Sequence, residues 1–229
     1  MIISFIKKCY LLFFFAFICS FSVFSQQIEA YRWESSFSVT RKLNNKWQVN
    51  GQIRTRTNTE NNVERQSTLN RIDFRGYLTY SLFNLSKLTL GYMTRSNNPL
   101  DESFNEQRYI EQYALFKEFN KYRFTNKFTL EQRIIRKQFI GRYRYAIALD
   151  FPLNGEQLDK GEMYFFSQAG MLYSANSERQ GLENRMNIGL GKMFKSGHRF
   201  QLDLESRTGD LLGNQNLTIQ INTAYYISY

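Results

Sequence analysis

Arginine residues recur at every second position in several segments of the chain, as at Arg54 and Arg56 or at Arg142 and Arg144. Successive side chains of a β-strand point to opposite faces, so each pair would lie on one face of a strand. A guanidinium group matches a carboxylate or phosphate group with two parallel hydrogen bonds. If these segments are strands, their spacing predicts a face that attracts small anions.

The charged residues of this polar face include more arginines than acids. We predict that the face lines the inside of a barrel and borders a narrow, porin-like channel for small anionic solutes or acidic oligosaccharides. The predicted pore-lining residues are Arg54, Arg56, Arg75, Arg123, Arg133, Arg142, Arg144, Arg185, Arg199, Arg207, Glu131, Asp150, Asp203 and Glu205. The alternative is that these charges neutralise one another and plug the barrel, which would then have a structural or binding role without transport.

Catalytic chemistry has little support in the sequence. The single histidine, His198, lies in a polar Lys-Ser-Gly-His segment and is interpreted as a solvated turn residue. Asp203 and Glu205 fall on one face, but alternation alone often brings carboxylates together in this way. One histidine and no dense carboxylate loop predict no cofactor and no metal site. We therefore expect a protein that is not an enzyme.

The segment 215–229 shows the alternation most clearly. Leu217, Ile219 and Ile221 alternate with polar residues, and the segment ends on Tyr229. This pattern is typical of a strand with one apolar and one polar face. Repeated strands of about ten residues with this pattern are the signature of barrels that span an outer membrane. The aromatic end also resembles the carboxy-terminal sorting signal of outer-membrane proteins.

The same alternation recurs along the rest of the chain and predicts an all-β fold. It is clear at residues 31–39, 47–54, 71–82, 88–93, 122–131, 142–151, 185–194, 199–207 and 215–229. Two further segments, 106–116 and 162–175, are strands whose faces the pattern does not define. Polar outer loops are predicted at residues 58–67, 96–105 and 175–181.

These segments make eleven strands, whereas closed single-chain bacterial barrels have an even number. We therefore predict an antiparallel barrel of about ten to twelve strands, with ten or twelve as the expected count. Connections near residues 45, 84, 120 and 196 are predicted to be short turns on the periplasmic side. Those near 62, 100, 137, 178 and 211 are predicted to be longer outer loops.

Alternation alone does not say which face of the barrel points outward, because a soluble barrel or sandwich has the same pattern with its apolar face inside. Aromatic residues favour the membrane barrel, since interfacial girdles require them on the apolar face. That face carries Trp33, Trp47, Tyr80, Tyr92, Tyr122, Tyr143 and Tyr225. The soluble β-protein stays open as the alternative.

The amino-terminal residues are predicted to be a cleaved signal peptide. Lys7 and Lys8 precede an apolar run at residues 10–24, and cleavage is expected after Ser25. The run is shorter than a membrane-spanning helix requires. Cys19 follows a residue too large for a lipidation signal. Cleavage removes both cysteines and lowers the net charge from +10 to +8.

Several short stretches together resemble an uncharacterised family of Gram-negative outer-membrane barrels, carried as a domain of unknown function. The matching stretches are Trp33-Glu34, Gly91-Tyr92, Glu131-Gln132-Arg133, Arg142-Tyr143-Arg144-Tyr145 and Glu183-Asn184-Arg185. The resemblance extends over residues 26–229 and implies a β-barrel of the cell envelope. It implies no known activity and no catalytic residues.

From these observations we expect residues 1–25 to be a signal peptide and residues 26–229 to be one barrel in the cell outer membrane. The expected partners are membrane lipid, lipopolysaccharide and small anionic solutes, since a net positive charge attracts anions. Nucleic acid is not an expected partner, because export removes the chain from it.

Overall fold

The alternating segments form eleven β-strands that pair edge to edge in one closed barrel. The computed structural model describes residues 28–60, 67–83, 85–100, 104–177, 179–211, 213 and 215–229. The predicted signal peptide lies outside these residues, as do most of the predicted loop at 58–67 and part of the loop at 96–105. No helix in the described ranges is long and apolar enough to cross a membrane.

The strands are longer than the alternating segments alone indicate. In chain order they are β1 Ile28–Lys42, β2 Trp47–Glu60, β3 Ser67–Phe83, β4 Ser86–Asn97, β5 Phe104–Phe119, β6 Tyr122–Ile135, β7 Gln138–Pro152, β8 Met163–Ala175, β9 Gln180–Met193, β10 Arg199–Gly209 and β11 Asn216–Ser228.

The barrel closes between its first and last strands, and this pair is parallel. Ala30 of β1 lies opposite Thr218 of β11, and the register continues to Thr40 opposite Ser228. Every other neighbouring pair is antiparallel. The expectation of an even count and of purely antiparallel pairing is therefore wrong. A parallel ladder also pairs the backbone N–H and C=O groups of the two edge strands, β1 and β11. A barrel with an odd number of strands can therefore close.

The connections gather at two mouths of the barrel. At the mouth where β11 ends, the C-terminal mouth, the described connecting residues are 43–46, 85, 120–121, 153–162 and 194–198. At the mouth where β1 begins, the N-terminal mouth, they are residues 98–100, 136–137, 176–177, 179, 210–211, 213 and 215.

The two mouths do not separate cleanly into short turns and longer loops, so this prediction is wrong for the connections after β6, β7 and β8. Arg136 and Lys137 form a two-residue turn between β6 and β7, with φ angles of 46° and 67°. Two consecutive positive φ angles are typical of the hairpin turn whose twist matches its strands. At the opposite, C-terminal mouth, residues 153–162 are the longest connection, and Gly155 and Gly161 supply its left-handed backbone.

The outer face of the barrel is apolar and the inner face is polar. Trp33 is 55% exposed while the next residue, Glu34, is 4% exposed. Phe74 is likewise 52% exposed beside Asp73, which is fully buried. Because most buried side chains of this barrel are polar or charged, the barrel reverses the usual distribution of a soluble protein.

The strand β5 shows why residues 106–116 alternate poorly. Glu106, Arg108 and Ile110 are buried inside the barrel, so an apolar residue interrupts the polar row. On the outer face, Tyr109 is followed by the exposed carboxylate of Glu111. Both faces therefore mix polar and apolar residues, although the strand itself is regular.

Aromatic side chains form pairs on the outer face near the C-terminal mouth. Trp47 and Tyr80 lie with their ring centroids 4.7 Å apart, and Tyr122 and Phe151 lie 5.2 Å apart. Trp47 and Tyr122 are the first residues of β2 and β6. The outer face thus carries aromatic residues where its strands meet this mouth.

One close approach inside the barrel requires a glycine. A Cβ atom at Gly189 would lie 2.4 Å from the backbone oxygen of Leu202 and 2.4 Å from the Cβ of Asp203, whereas one at Gly51 would meet nothing within 4 Å. We expect Gly189→Ala to lower the free energy of unfolding by about 1–3 kcal/mol through overpacking. Urea unfolding of the refolded barrel measures this, with Gly51→Ala as the matched control. Equal losses in the two variants would contradict the close approach.

Candidate anion-binding cavity

The interior of the barrel contains a cavity of about 410 Å³ whose wall is dominated by arginine. Its lining comprises twelve arginines, one carboxylate and four other side chains. The lining residues are Arg32, Arg54, Arg56, Arg71, Arg75, Arg95, Arg108, Arg133, Arg142, Arg144, Arg185, Arg207, Glu131, Tyr77, Met93, Ile110 and Gln112. They come from nine strands, and most of them lie nearer the N-terminal mouth than the C-terminal mouth.

The two-residue period of the β-strands places these arginines on the inner face of the barrel. On β7, Arg142 and Arg144 line the cavity, while Tyr143 between them is on the outer face. Glu131 of β6 lies directly opposite Arg142 in the strand register. Neighbouring strands therefore set charged side chains side by side around the interior.

A chain of ion pairs runs around the interior from β1 to β6. Arg71 contacts Glu34 at 2.6 Å and Asp73 at 3.8 Å. Arg95 contacts Asp73 at 2.6 Å and Glu106 at 3.6 Å. Each of these arginines joins two carboxylates from different strands, so the chain links neighbouring strands through their side chains.

Arg108 extends the chain to the next strand. It pairs with Glu106 on its own strand and with Glu131 of β6 at 2.8 Å. Arg142 and Arg144 complete the group around Glu131, at 2.9 and 3.5 Å. A single buried carboxylate therefore holds three guanidinium groups.

The other carboxylates of the chain are shared in the same way. Arg54 and Arg56 both contact Glu34, at 2.6 and 2.7 Å. Arg75 donates to Asp73 at 2.7 Å. On the opposite wall, a second group joins Glu183, Arg185, Glu205 and Arg207.

These ion pairs leave the cavity with an excess of positive charge. Eleven of the twelve arginines pair with only six carboxylates in the described part of the chain. The six carboxylates are Glu34, Asp73, Glu106, Glu131, Glu183 and Glu205. Five positive charges are therefore not balanced by an ion-paired carboxylate.

Several guanidinium donors in the cavity wall have no acceptor. The buried Nε–H groups of Arg54, Arg75, Arg133 and Arg144 make no hydrogen bond within the described residues. A buried donor without an acceptor is destabilising. An anion in the cavity would supply both the missing acceptors and the missing negative charge.

Two carboxylates predicted to border the pore lie instead in an amide-rich group. The side-chain amides of Asn187 and Asn222 each donate to Asp203 and to Glu205, at 2.7–3.2 Å. Neither Asp203 nor Glu205 lines the cavity. Neutral amide donors therefore satisfy the oxygens of Asp203, while Arg207 also pairs with Glu205.

The structure brings nine of the predicted residues to the cavity wall. They are Arg54, Arg56, Arg75, Arg133, Arg142, Arg144, Arg185, Arg207 and Glu131. Arg123 and Asp150 instead form an ion pair at 2.9 Å near the C-terminal mouth, and Arg199 stacks over Tyr226. These three residues lie on the inner face, but they are nearer the C-terminal mouth than the cavity is.

Four cavity arginines are absent from the predicted set: Arg32, Arg71, Arg95 and Arg108. Arg32 and Arg71 lie on polar faces that alternation defines, so the signal for them is present in the sequence. Arg95 lies two residues beyond the clear alternation at 88–93, because β4 continues to Asn97. Arg108 lies on β5, where the inner row is interrupted by Ile110 and gives no clear period.

His198 is less solvated than its turn position suggests. It follows Gly197, whose φ of 84° makes the turn, and its Nδ1 lies 2.9 Å from the Tyr225 hydroxyl. The ring is half-buried against β11, so this turn residue is only partly solvated. No group of three or more His, Cys, Asp or Glu side chains that could hold a metal occurs in the described ranges.

Comparison with known proteins identifies a family but no function. No curated protein and no solved structure matches the chain. One family model, described as protein of unknown function (DUF2490), matches residues 33–218. Because this match runs from β1 into β11 and covers most of the barrel, the chain belongs to the DUF2490 family.

Proposed function

We propose that this barrel spans the outer membrane and admits small anionic solutes to its arginine-lined interior. The apolar outer face would contact lipid, which requires every backbone polar group to be satisfied within the barrel. A closed ladder of eleven strands meets that requirement. The outer aromatic residues would lie at the headgroups, where their rings are favoured.

One observation carries the proposed preference for anions. Twelve arginines and a single glutamate form the charged wall of the cavity. Charged rings of one sign select ions of the opposite sign in pores, and arginine suits anion and phosphate pores. The interior would therefore attract carboxylates and phosphates and repel cations.

The proposed location agrees with two features of the sequence. The amino-terminal residues have the pattern of an export signal. The alternation of the strand β11 places Ile221 on the outer face, as a lipid-facing strand requires. Membrane lipid and lipopolysaccharide would then be the constant partners of the outer face.

Conductance in planar lipid bilayers tests the proposed passage. We expect purified wild-type protein to give an anion-selective current, measured as a reversal potential in a potassium chloride gradient. Replacing both Arg142 and Arg144 by alanine should lower the selectivity, because two cavity charges are lost. Arg123→Ala is the matched control, since Arg123 is an inner-face arginine outside the cavity.

Two outcomes would contradict the proposed passage of anions through the barrel. One is a bilayer that stays silent with correctly folded protein. The other is a current whose selectivity is the same in wild type and in the Arg142 and Arg144 double variant.

A closed binding barrel is the second candidate function. It is favoured by the buried side chains that fill the half of the interior nearer the C-terminal mouth, among them Ser38, Thr79 and Ala146. Small barrels can be filled by their own side chains in this way. A silent bilayer together with saturable anion binding would favour this candidate.

We also propose that the protein is not an enzyme. A hydrolase reaction would need a histidine or another base beside a nucleophile. Lipid or peptide hydrolysis by the purified barrel that disappears in His198→Ala would contradict this proposal.

A further inference from the structure

We propose that the cavity is a binding site for a compact polyanion that carries two or more carboxylate or phosphate groups. This inference rests on the proposed entry of anions into the barrel and narrows it to one class of ligand. It concerns a solute held at a defined place, whether or not that solute then crosses the barrel.

The charge of the wall requires more than one negative group. Five cavity arginines exceed the carboxylates with which the wall is paired, as described above. Charges removed from water are destabilising unless they are paired and hydrogen-bonded. A monovalent anion would balance only one of the five, whereas a polyanion can balance several at once.

The four donors named above lie in two separate places within the described barrel. Arg54 and Arg75 belong to the adjacent strands β2 and β3, and Arg133 and Arg144 belong to the adjacent strands β6 and β7. Two strands, β4 and β5, stand between these pairs. A ligand that satisfies both places must therefore present acceptor groups in at least two directions.

Each place suits a carboxylate or a phosphate. The Nε–H and a terminal amine of a guanidinium form a fork that two oxygens of one anionic group can accept. The free Nε–H groups leave one arm of such a fork without an acceptor. A chloride ion could accept from one such N–H group, but a single chloride could not reach the donors of both places.

The size and the remaining wall favour a compact ligand. A volume of about 410 Å³ lies in the range of sites for small molecules. Met93 and Ile110 line the cavity and are buried, and Tyr77 adds an aromatic ring. These side chains would contact a short carbon skeleton between the anionic groups.

Calorimetric titration of the full barrel in detergent micelles tests the inference. The probes are citrate, pyrophosphate and acetate, compared at equal ionic strength. We expect saturable binding of citrate or pyrophosphate and no saturable binding of acetate. This comparison uses only the wild-type protein, so it does not depend on whether a variant folds.

Substitutions then locate the site. Arg75→Gln and Arg144→Gln each remove one donor group from one of the two places, and each should weaken polyanion binding about tenfold. Arg123→Gln, outside the cavity, should leave the affinity unchanged. Circular dichroism confirms that each variant is folded before it is titrated.

The experiments distinguish the polyanion-binding site from the proposed passage of anions through the barrel. Absence of saturable polyanion binding, or equal binding of acetate, overturns the binding site even if the bilayer conducts. Equal weakening by Arg123→Gln and Arg144→Gln also overturns it, because the effect would then be general. A silent bilayer with saturable polyanion binding supports the inference and contradicts the passage.

Discussion

The Asp73→Asn variant should lose about 3–5 kcal/mol of unfolding free energy, because a buried charge cluster loses its central partner. Asp73 is fully buried and pairs with Arg75 at 2.7 Å and Arg95 at 2.6 Å. The amide keeps the size of the side chain but removes the negative charge. Among the described residues, Arg75 would then have no ion-paired carboxylate, and Arg95 would keep only Glu106 at 3.6 Å. Urea unfolding of the barrel in lipid vesicles, followed by tryptophan fluorescence, measures the loss.

The matched control for this variant is Asp150→Asn. Asp150 pairs with Arg123 at 2.9 Å, and Arg123 is 44% exposed. Removing an exposed ion pair usually costs about 0–1 kcal/mol. If Asp73→Asn lowered the free energy of unfolding as little as Asp150→Asn, the charge of Asp73 would not be needed to stabilise the arginines beside it.

The Ile221→Arg variant should be destabilised by about 2–4 kcal/mol in a lipid bilayer, the usual result of a charge at the middle of a lipid-facing strand. Ile221 lies near the middle of β11 and its side chain is on the outer face. In a soluble barrel the same substitution would change stability by only about 0.5 kcal/mol, because exposed positions tolerate charge. The variant therefore distinguishes a lipid-facing surface from a water-facing one.

Phe83→Arg is the control for depth. Phe83 ends β3 at the C-terminal mouth and is 80% exposed. Near the interface the cost of an arginine falls to about 0–1 kcal/mol. Equal, small changes in Ile221→Arg and Phe83→Arg, measured by urea unfolding in vesicles, would exclude the proposed membrane location. Folding of residues 26–229 as a monomer in buffer without detergent would exclude it as well.

The strands and their faces could be predicted from the sequence because both depend on a local period of two residues. β7 and β11 illustrate this, with Tyr143 and Ile221 outward as the alternation predicts. The count of eleven strands was also present in the alternation. The parallel closure of the barrel could not be predicted from the alternation. The pairing of β1 with β11 joins segments at opposite ends of the chain and has no local pattern.

Alternation predicts the face of a residue but not its height along the barrel. Arg144 and Arg199 both belong to the inner face, yet one lines the cavity and the other stacks on Tyr226 near the C-terminal mouth. Height depends on the register of each strand against its neighbours, which is set by contacts around the whole barrel. The arginine-rich composition of the site could thus be predicted, while its boundary could not.

The connection at residues 136–137 shows a similar limit. The sequence around Arg136 and Lys137 contains neither glycine nor asparagine, the usual residues of a two-residue turn. Pairing of Ile135 with Gln138 nevertheless brings the strands together directly beyond the turn. The ladder of β6 and β7 therefore stabilises a backbone conformation that the two residues do not favour by themselves.

Because the number of strands is odd, the first strand begins at one mouth of the barrel and the last strand ends at the other. Ile28 starts β1 at one mouth, and Ser228 ends β11 at the other. A short epitope inserted before Ile28 and another appended after Tyr229 would therefore face opposite compartments if the barrel crosses a bilayer. Antibody labelling of intact cells would reach one epitope and leave the other protected, and the labelled end would reveal which compartment the N-terminal mouth, the one nearer the arginine cavity, faces.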